Sequence, residues 1–273
     1  VYGVMKLINF AHGDLVALAA YVGLTVLMQA FGMHLSNLWA VILMFIVTAM
    51  FISLFGIILE RLAYRPLRKA PRLSAVVSAL GASLAIENGI MLIWGPNIKV
   101  FPSNVFPSAR WHISGVVINS TQIAILLLSI ILMLALYIFI NKTKIGTAIR
   151  ASAIDQDAAK LMGINVNGII IAIFALGSFL GSIGGLFIGI YYRELYFQMG
   201  WIYGLNAFIA AIIGGIGNIP GAMLGGMLLG IFNVLIAVYI SNAWSEALTF
   251  ALLIIILIIK PTGILGERVA EKV

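Results

Sequence analysis

The stretch KTKIGTAIRASAIDQDAAKLMGINVNG, Lys142 to Gly168, gathers six charged residues, Lys142, Lys144, Arg150, Asp155, Asp157 and Lys160, into one segment of a chain that is otherwise almost uncharged. Long apolar runs, Ile123 to Ile140 and Ile169 to Tyr191, flank it, so the segment 142–168 reads as a water-exposed link between two membrane spans. Within it, Asp155 to Met162 has the marks of a short helix. Asp155 is placed to cap its N-terminus, Asp157 suits the positive end of the helix dipole, and Gly163 stands where a glycine stops a helix. Ile154, Ala158, Leu161 and Met162 recur at helical spacing and form one apolar face, with Gln156, Asp157 and Lys160 turned away from it. Such a face suits either the lipid surface or a groove on a partner protein, and periodicity alone leaves both open.

Composition sets the class. Hydrophobic residues make up 63% of the chain and charged residues 9%, against about 25% charged in ordinary globular proteins. A soluble globule would lack the polar surface to cover itself, so this is an all-α, polytopic transmembrane bundle of about seven apolar segments, some broken by Gly or Pro. The net charge of +7 does not point to nucleic acid, because the basic residues lie between apolar runs and not on a patch with interleaved aromatics. The absence of cysteine excludes disulfides, thiolate metal sites and a Cys nucleophile, and the histidines at 12, 34 and 112 are too scattered for a metal centre. There is no GxxxxGK[ST] loop to cradle nucleotide phosphates, and no Ser/His/Asp or paired-carboxylate set stands out. Nothing here carries an enzyme, and no cofactor is expected on this chain.

The first apolar run, Leu15 to Phe31, is led in by Lys6, Asn9, His12 and Asp14. Either these sit at the water interface, where a helix start holds them cheaply, or Asn9 to Gly13 is a break in a helix within the membrane. Leu38 to Leu59 ends in Glu60, Arg61, Arg65, Arg68, Lys69 and Arg72, the strongest basic cluster, which marks the cytoplasmic side. Leu73 to Trp94 returns outward and carries Glu87 and Asn88 inside an apolar run. An ionisable group at that depth costs roughly 2–3 kcal/mol unless solvated or paired, so both are expected to face the protein interior, as a structural hydrogen bond or as part of a pathway. Gly95 to Ser120 is an external loop, with Trp111 to Val117 tending to strand, and Gln122 to Ile140 crosses back to the charged segment.

Ile169 to Tyr191 carries Gly177, Gly181, Gly185 and Gly189 at four-residue intervals, a stripe that another helix can approach closely. After a turn at Arg193 and Glu194, the short run Tyr203 to Ile213 holds Asn206 and breaks at Gly214, Gly215, Gly217, Asn218 and Pro220. Gly221, Gly225 and Gly230 open a further small-residue helix, and Trp244 to Ile259 is the last span, with Lys260, Arg268 and Lys272 placing the C-terminus inside. The two interrupted places correspond: NFAHG leads into GDLVALAAYVGLTVL, and GNIPG into GAMLGGMLLGIFNVL, so that Gly13 matches Gly221. Paired interruptions of this kind bound a midplane pathway in transporters. Asn9, His12, Asp14, Glu87, Asn88, Asn206 and Asn218 are therefore the candidate pathway residues, and Gly225 joins the glycine stripe as a packing position.

GTAIRASAIDQDAAKLMGIN, together with INFAHGD from Ile8, ERLAYRPLR from Glu60, GGIGNIPGAMLGG from Gly214 and PTGILG from Pro261, resembles the LivH-like permeases, the membrane subunits of branched-chain amino-acid ABC importers. The five motifs stand in family order across nearly the whole chain. The resemblance implies a single permease domain, 1–273, in the cell inner membrane, and an apolar helix upstream of Val1. It makes 142–168 the coupling segment, with Asp155, Asp157, Ala158, Ala159, Leu161 and Gly163 meeting an ATPase. The implied partners are a second permease subunit, two ATPase subunits that hold the ATP and Mg, an external solute-binding protein and the lipid bilayer. Urea, amides or other amino acids are alternative cargoes within such a family. Two other classes stay open on the residues: an ion-coupled transporter with Asp14 and Glu87 as its proton or sodium sites, and a non-transporting scaffold that binds helices through its glycine faces.

Overall fold

The structure is a computed structural model that describes residues 9–30, 38–68, 70–103, 105, 109–113 and 115–266. Lys6, His34, Lys69, Arg268 and Lys272 lie outside these residues. The helices are α1 His12–Ala30, α2 Leu38–Leu59, α3 Arg72–Trp94, α4 Ser120–Lys142, α5 Lys144–Ile154, α6 Gln156–Leu161, α7 Val166–Tyr192, α8 Met199–Gly214, α9 Ile219–Tyr239 and α10 Ser245–Ile259. Seven helical stretches among the described residues are long and apolar enough to cross a membrane, and α8 is shorter. The protein is a multi-pass membrane protein.

Helix α1 is the most enclosed span, packed against α2, α3, α7 and α8, while α4 lies outside with no buried residue. The cause is side-chain size. Lipid tails are as apolar as leucine, so helices associate through close van der Waals contact, and small residues permit it. The stripe on α7 does this along its length. A Cβ on Gly181 would come within 2.9 Å of the His12 ring, one on Gly185 would fall on the Val16 carbonyl, and one on Gly189 would press on Phe101 and Leu195. On the other side of α1, Gly13 meets the backbone of Gly200 and Gly204 in α8. Farther along α8, Gly214 and Ala210 receive Gly221 and Gly225 of α9 in the same way. The two matched glycines, Gly13 and Gly221, thus both pack on α8.

Three segments hold more regular structure than the apolar spans alone. α2 does not stop at Leu59 in a loop, but continues as a π-helical turn, Glu60–Tyr64, and a 3-10 turn, Arg65–Leu67, with Pro66 early in the latter, where its missing N–H costs nothing. The link 142–168 holds two helices, because Thr143 caps α5 by accepting from Gly146 N, and Gly146 lets the chain reverse against the carbonyls of Phe139 and Ile140. The segment 95–120 forms an antiparallel hairpin, Arg110–Ile113 with Val116–Asn119, turned at Gly115, and pairs Lys99–Val100 with Glu194–Leu195 over two residues. The strand tendency around Trp111 to Val117 is realised in that hairpin. The break after α8 is closed by PTGILG: Ile264 N and Leu265 N donate to the carbonyls of Ile213 and Gly214, and Asn218 Nδ2 to that of Leu265. Gly215 and Gly263, both at positive φ, let these backbones touch.

Gly185→Leu is expected to destabilise the bundle by about 1–3 kcal/mol or more, because the Val16 backbone cannot yield as a side chain would. Gly184→Ala, where an added Cβ meets nothing within 4 Å, should be neutral. Monodispersity and melting temperature in detergent compare the two, and equal values would show that the α1–α7 contact tolerates side chains.

Candidate functional site

The short surface helix α6 is capped as its sequence requires. Asp155 accepts hydrogen bonds from Asp157 N at 2.9 Å and Ala158 N at 3.0 Å, a cap worth about 0.5–2 kcal/mol. Gly163 takes φ +81° just beyond its end, and Asn165 then caps α7 by accepting from Gly168 N. Six residues are too few to hold a helix by themselves. Burial anchors it: Ala159 is 3% exposed and belongs to the main core. This splits the expected pair of docking alanines, since Ala158 is exposed and Ala159 faces its own subunit. The apolar residues Ile154, Leu161 and Met162 are 83%, 89% and 83% exposed. Beside them Lys160 and Asp157 form an exposed ion pair at 2.8 Å.

Inside the bundle, the expected pathway residues separate into groups. Asn9, His12 and Gly13 line a cavity of about 320 Å³ with Gly177 of α7 and Trp201 and Phe208 of α8. A second cavity of about 450 Å³ is lined by Arg150 of α5, Asn218 and again Gly177 and Phe208, so the two adjoin at these shared wall residues. Asn218 also caps α9, accepting from Gly221 N at 2.8 Å. Asn206 lines neither cavity. Asp14 is 1% exposed and lies in a helix contact: Ser83 of α3 donates to one carboxylate oxygen, and the Gly200 backbone crosses close to the other. That second oxygen has no hydrogen-bond partner among the described residues.

Glu87 is half-buried and within electrostatic reach of Asp14. Asn88, expected inside, is exposed on α3 and donates to the Leu84 carbonyl of its own helix at 2.7 Å. An amide that bonds the preceding turn needs no interior partner, which is why the depth argument holds better for the carboxylate than for its neighbour. Among the described residues no group of His, Asp and Glu side chains is placed to hold a metal ion.

Sequence reasoning missed Ser83, Trp201 and a polar cluster built on the extension of α2. There Arg68 pairs with the buried Glu60 and also with Asn167, and Tyr64 donates to Asn9 at 2.7 Å. A serine or tyrosine in an apolar run carries no signal of its own; the proximity of ERLAYRPLR to a second polar motif emerges only on packing.

Residues 1–257 match the family described as branched-chain amino acid transport system, permease component. The chain belongs to this family. It is 37% identical over 277 residues to the high-affinity branched-chain amino acid transport system permease protein BraD of Pseudomonas aeruginosa, covering 100% of this chain and 90% of that protein. It is 37% identical over 279 residues, with the same coverage, to LivH of Escherichia coli K12, which has the same description. A probable branched-chain amino acid transport permease protein LivH of Methanocaldococcus jannaschii is 31% identical over 226 residues, 78% of this chain and 66% of that protein. No solved structure matches. As a permease component the chain is a transport subunit and not an enzyme.

Ser83→Ala should destabilise the protein by about 1–3 kcal/mol, since it leaves a buried carboxylate oxygen without its donor. Asn88→Leu, on an exposed helix face, should leave stability unchanged. Thermal melts of both variants check this, and a stable Ser83→Ala would mean that Asp14 does not depend on that bond.

Proposed function

We propose that this chain is the permease subunit of an ATP-driven importer of the ABC type, carrying branched-chain amino acids from an external solute-binding protein to the cytoplasm. ATP and Mg belong to two ATPase subunits, and a second permease subunit completes the membrane unit. The observation that carries the reading is the surface helix pair α5–α6. Ile154 at the end of α5, and Leu161 and Met162 at the end of α6, stand exposed on a pair whose capped second helix is anchored in the core at Ala159. An exposed apolar knob held rigidly by its own subunit is the geometry by which a partner's movement can be passed into a bundle. The helix pair also sits in the charged link, whose Lys142, Lys144, Arg150 and Lys160 support a cytoplasmic placement, as Lys260 does for the C-terminus.

The cargo follows from the relatives, whose names give branched-chain amino acids, and the apolar lining of both cavities suits an aliphatic side chain. The ion-coupled alternative rests on Asp14 and Glu87, and Asp14 is engaged in a helix contact instead of lining either cavity.

Ala158→Trp tests the docking role. Ala158 is exposed, so the indole does not disturb its own subunit, yet it overfills a packed interface at about 1–3 kcal/mol. The expected result is weaker ATPase copurification or lost cargo-stimulated hydrolysis, with the ligand affinity of the binding protein unchanged. Normal values for both would place α6 on the lipid surface, where an added tryptophan is welcome.

A further inference from the structure

The extension of α2 carries Glu60 and Tyr64, with Arg68 just past its end, each four residues after the last; Tyr64 bonds the cavity residue Asn9, and Arg68 bonds the start of α7. Tyr64 is 2% exposed, its ring packs on Phe174 of α7 with centroids 5.0 Å apart, and its hydroxyl donates to Asn9 Oδ1. Glu60 is 0% exposed and accepts from Arg68, whose second nitrogen donates to Asn167 in the first turn of α7. That turn follows α6 after only four residues, 162–165, and Ile164 N donates back to the Ala159 carbonyl at 3.0 Å. Ala159 and Tyr64 belong to the same buried cluster as Val166, Ile170 and Phe174. A buried phenol and a buried carboxylate each need a partner, so their bonds hold this segment in register with both Asn9 and α7. The turn carrying Glu60 and Tyr64 is π-helical, a rare turn that is frequent at functional sites.

We propose that Tyr64 is a positioning residue for transport. It takes the oxygen of the Asn9 amide, so the nitrogen is the end offered to the carboxylate of an amino-acid cargo in the cavity. The same backbone turn carries Glu60, and Arg68 just beyond it bonds both Glu60 and Asn167, so the segment that positions Tyr64 is itself tied to the first turn after the surface helix. This deepens the reading of the chain as a transport subunit and rests on it. The Tyr64 hydroxyl itself need not touch the cargo: Tyr64 does not line the cavity, and Asn9 does.

The test uses Tyr64→Phe, Asn9→Ala and the double variant in the assembled transporter, reconstituted in proteoliposomes. Phenylalanine keeps the ring contact with Phe174 and deletes only the bond to Asn9. The chain has no cysteine, so Ala207→Cys, on the cavity wall, reports the cavity's state through its rate of alkylation by a small water-soluble thiol reagent. Tyr64→Phe is expected to assemble with the ATPase, to lower leucine uptake about 3- to 10-fold, as loss of one hydrogen bond allows, and to change the alkylation rate at position 207. The double variant should be no worse than Asn9→Ala alone, because the two act as one unit. Uptake and alkylation both at the unmodified level in Tyr64→Phe, or a double variant whose loss is the product of the two single losses, would overturn the proposal. Absence of ATP-driven uptake in the unmodified protein would instead remove the importer reading, while the alkylation comparison still decides whether Tyr64 sets the cavity.

Discussion

The approach of α7 to α1 across Gly181 and Gly185 is the contact on which the rest of the bundle depends. Once the Val16 carbonyl occupies the space where a side chain on Gly185 would be, α1 is held by α7 on one side. It can then receive α8 on the other, through Gly13 against Gly200 and Gly204. In a bilayer no hydrophobic force favours helix contact over lipid contact, so what α1 gains comes from many short-range contacts made possible by missing side chains. The same device closes α8 on α9 at Ala210 and Gly214. Both cavities lie along α8, where these two packings meet, and Phe208 stands where the cavities adjoin.

Polar groups in this apolar frame are arranged by cost. Asp14, Glu60 and Tyr64 are buried, and each has a hydrogen-bond partner: Ser83 of α3, Arg68 at the end of the same α2 extension, and Asn9 ahead of α1. An isolated buried charge would be far more expensive than such a pair, and the bonds that cross between elements, Asp14 with Ser83, Tyr64 with Asn9 and Arg68 with Asn167, specify which helices neighbour which. Asn88 shows the converse: an amide satisfied by its own helix makes no demand on the fold and stays outside. Asn218 combines both roles, capping α9 and binding the returning PTGILG segment, so the break between α8 and α9 is a built joint.

What the sequence determined by itself was everything set by local chemistry. A charged share of 9% and apolar runs of span length determined a polytopic helical bundle. Asp155 and Gly163 determined the ends of α6, because a cap and a positive-φ stop are properties of neighbouring residues. The four-residue spacing of Gly177 to Gly189 was legible as a stripe, since spacing along a helix fixes its face.

Tertiary structure alone decided which of two adjacent alanines faces outward, that ERLAYRPLR reaches Asn9 and Asn167, and that Asn218 lines a cavity while Asn206 does not. Each of these depends on how a helix is rotated and what stands beside it. A span apolar on all sides carries almost no periodicity to disclose its rotation: in α2, α3 and α4 the sequence leaves every face nearly equivalent. Rotation is then chosen by glycine contacts and buried hydrogen bonds between residues 55 to 99 positions apart, as in Tyr64 with Asn9 and Arg68 with Asn167, and such pairs exist only once the chain has folded.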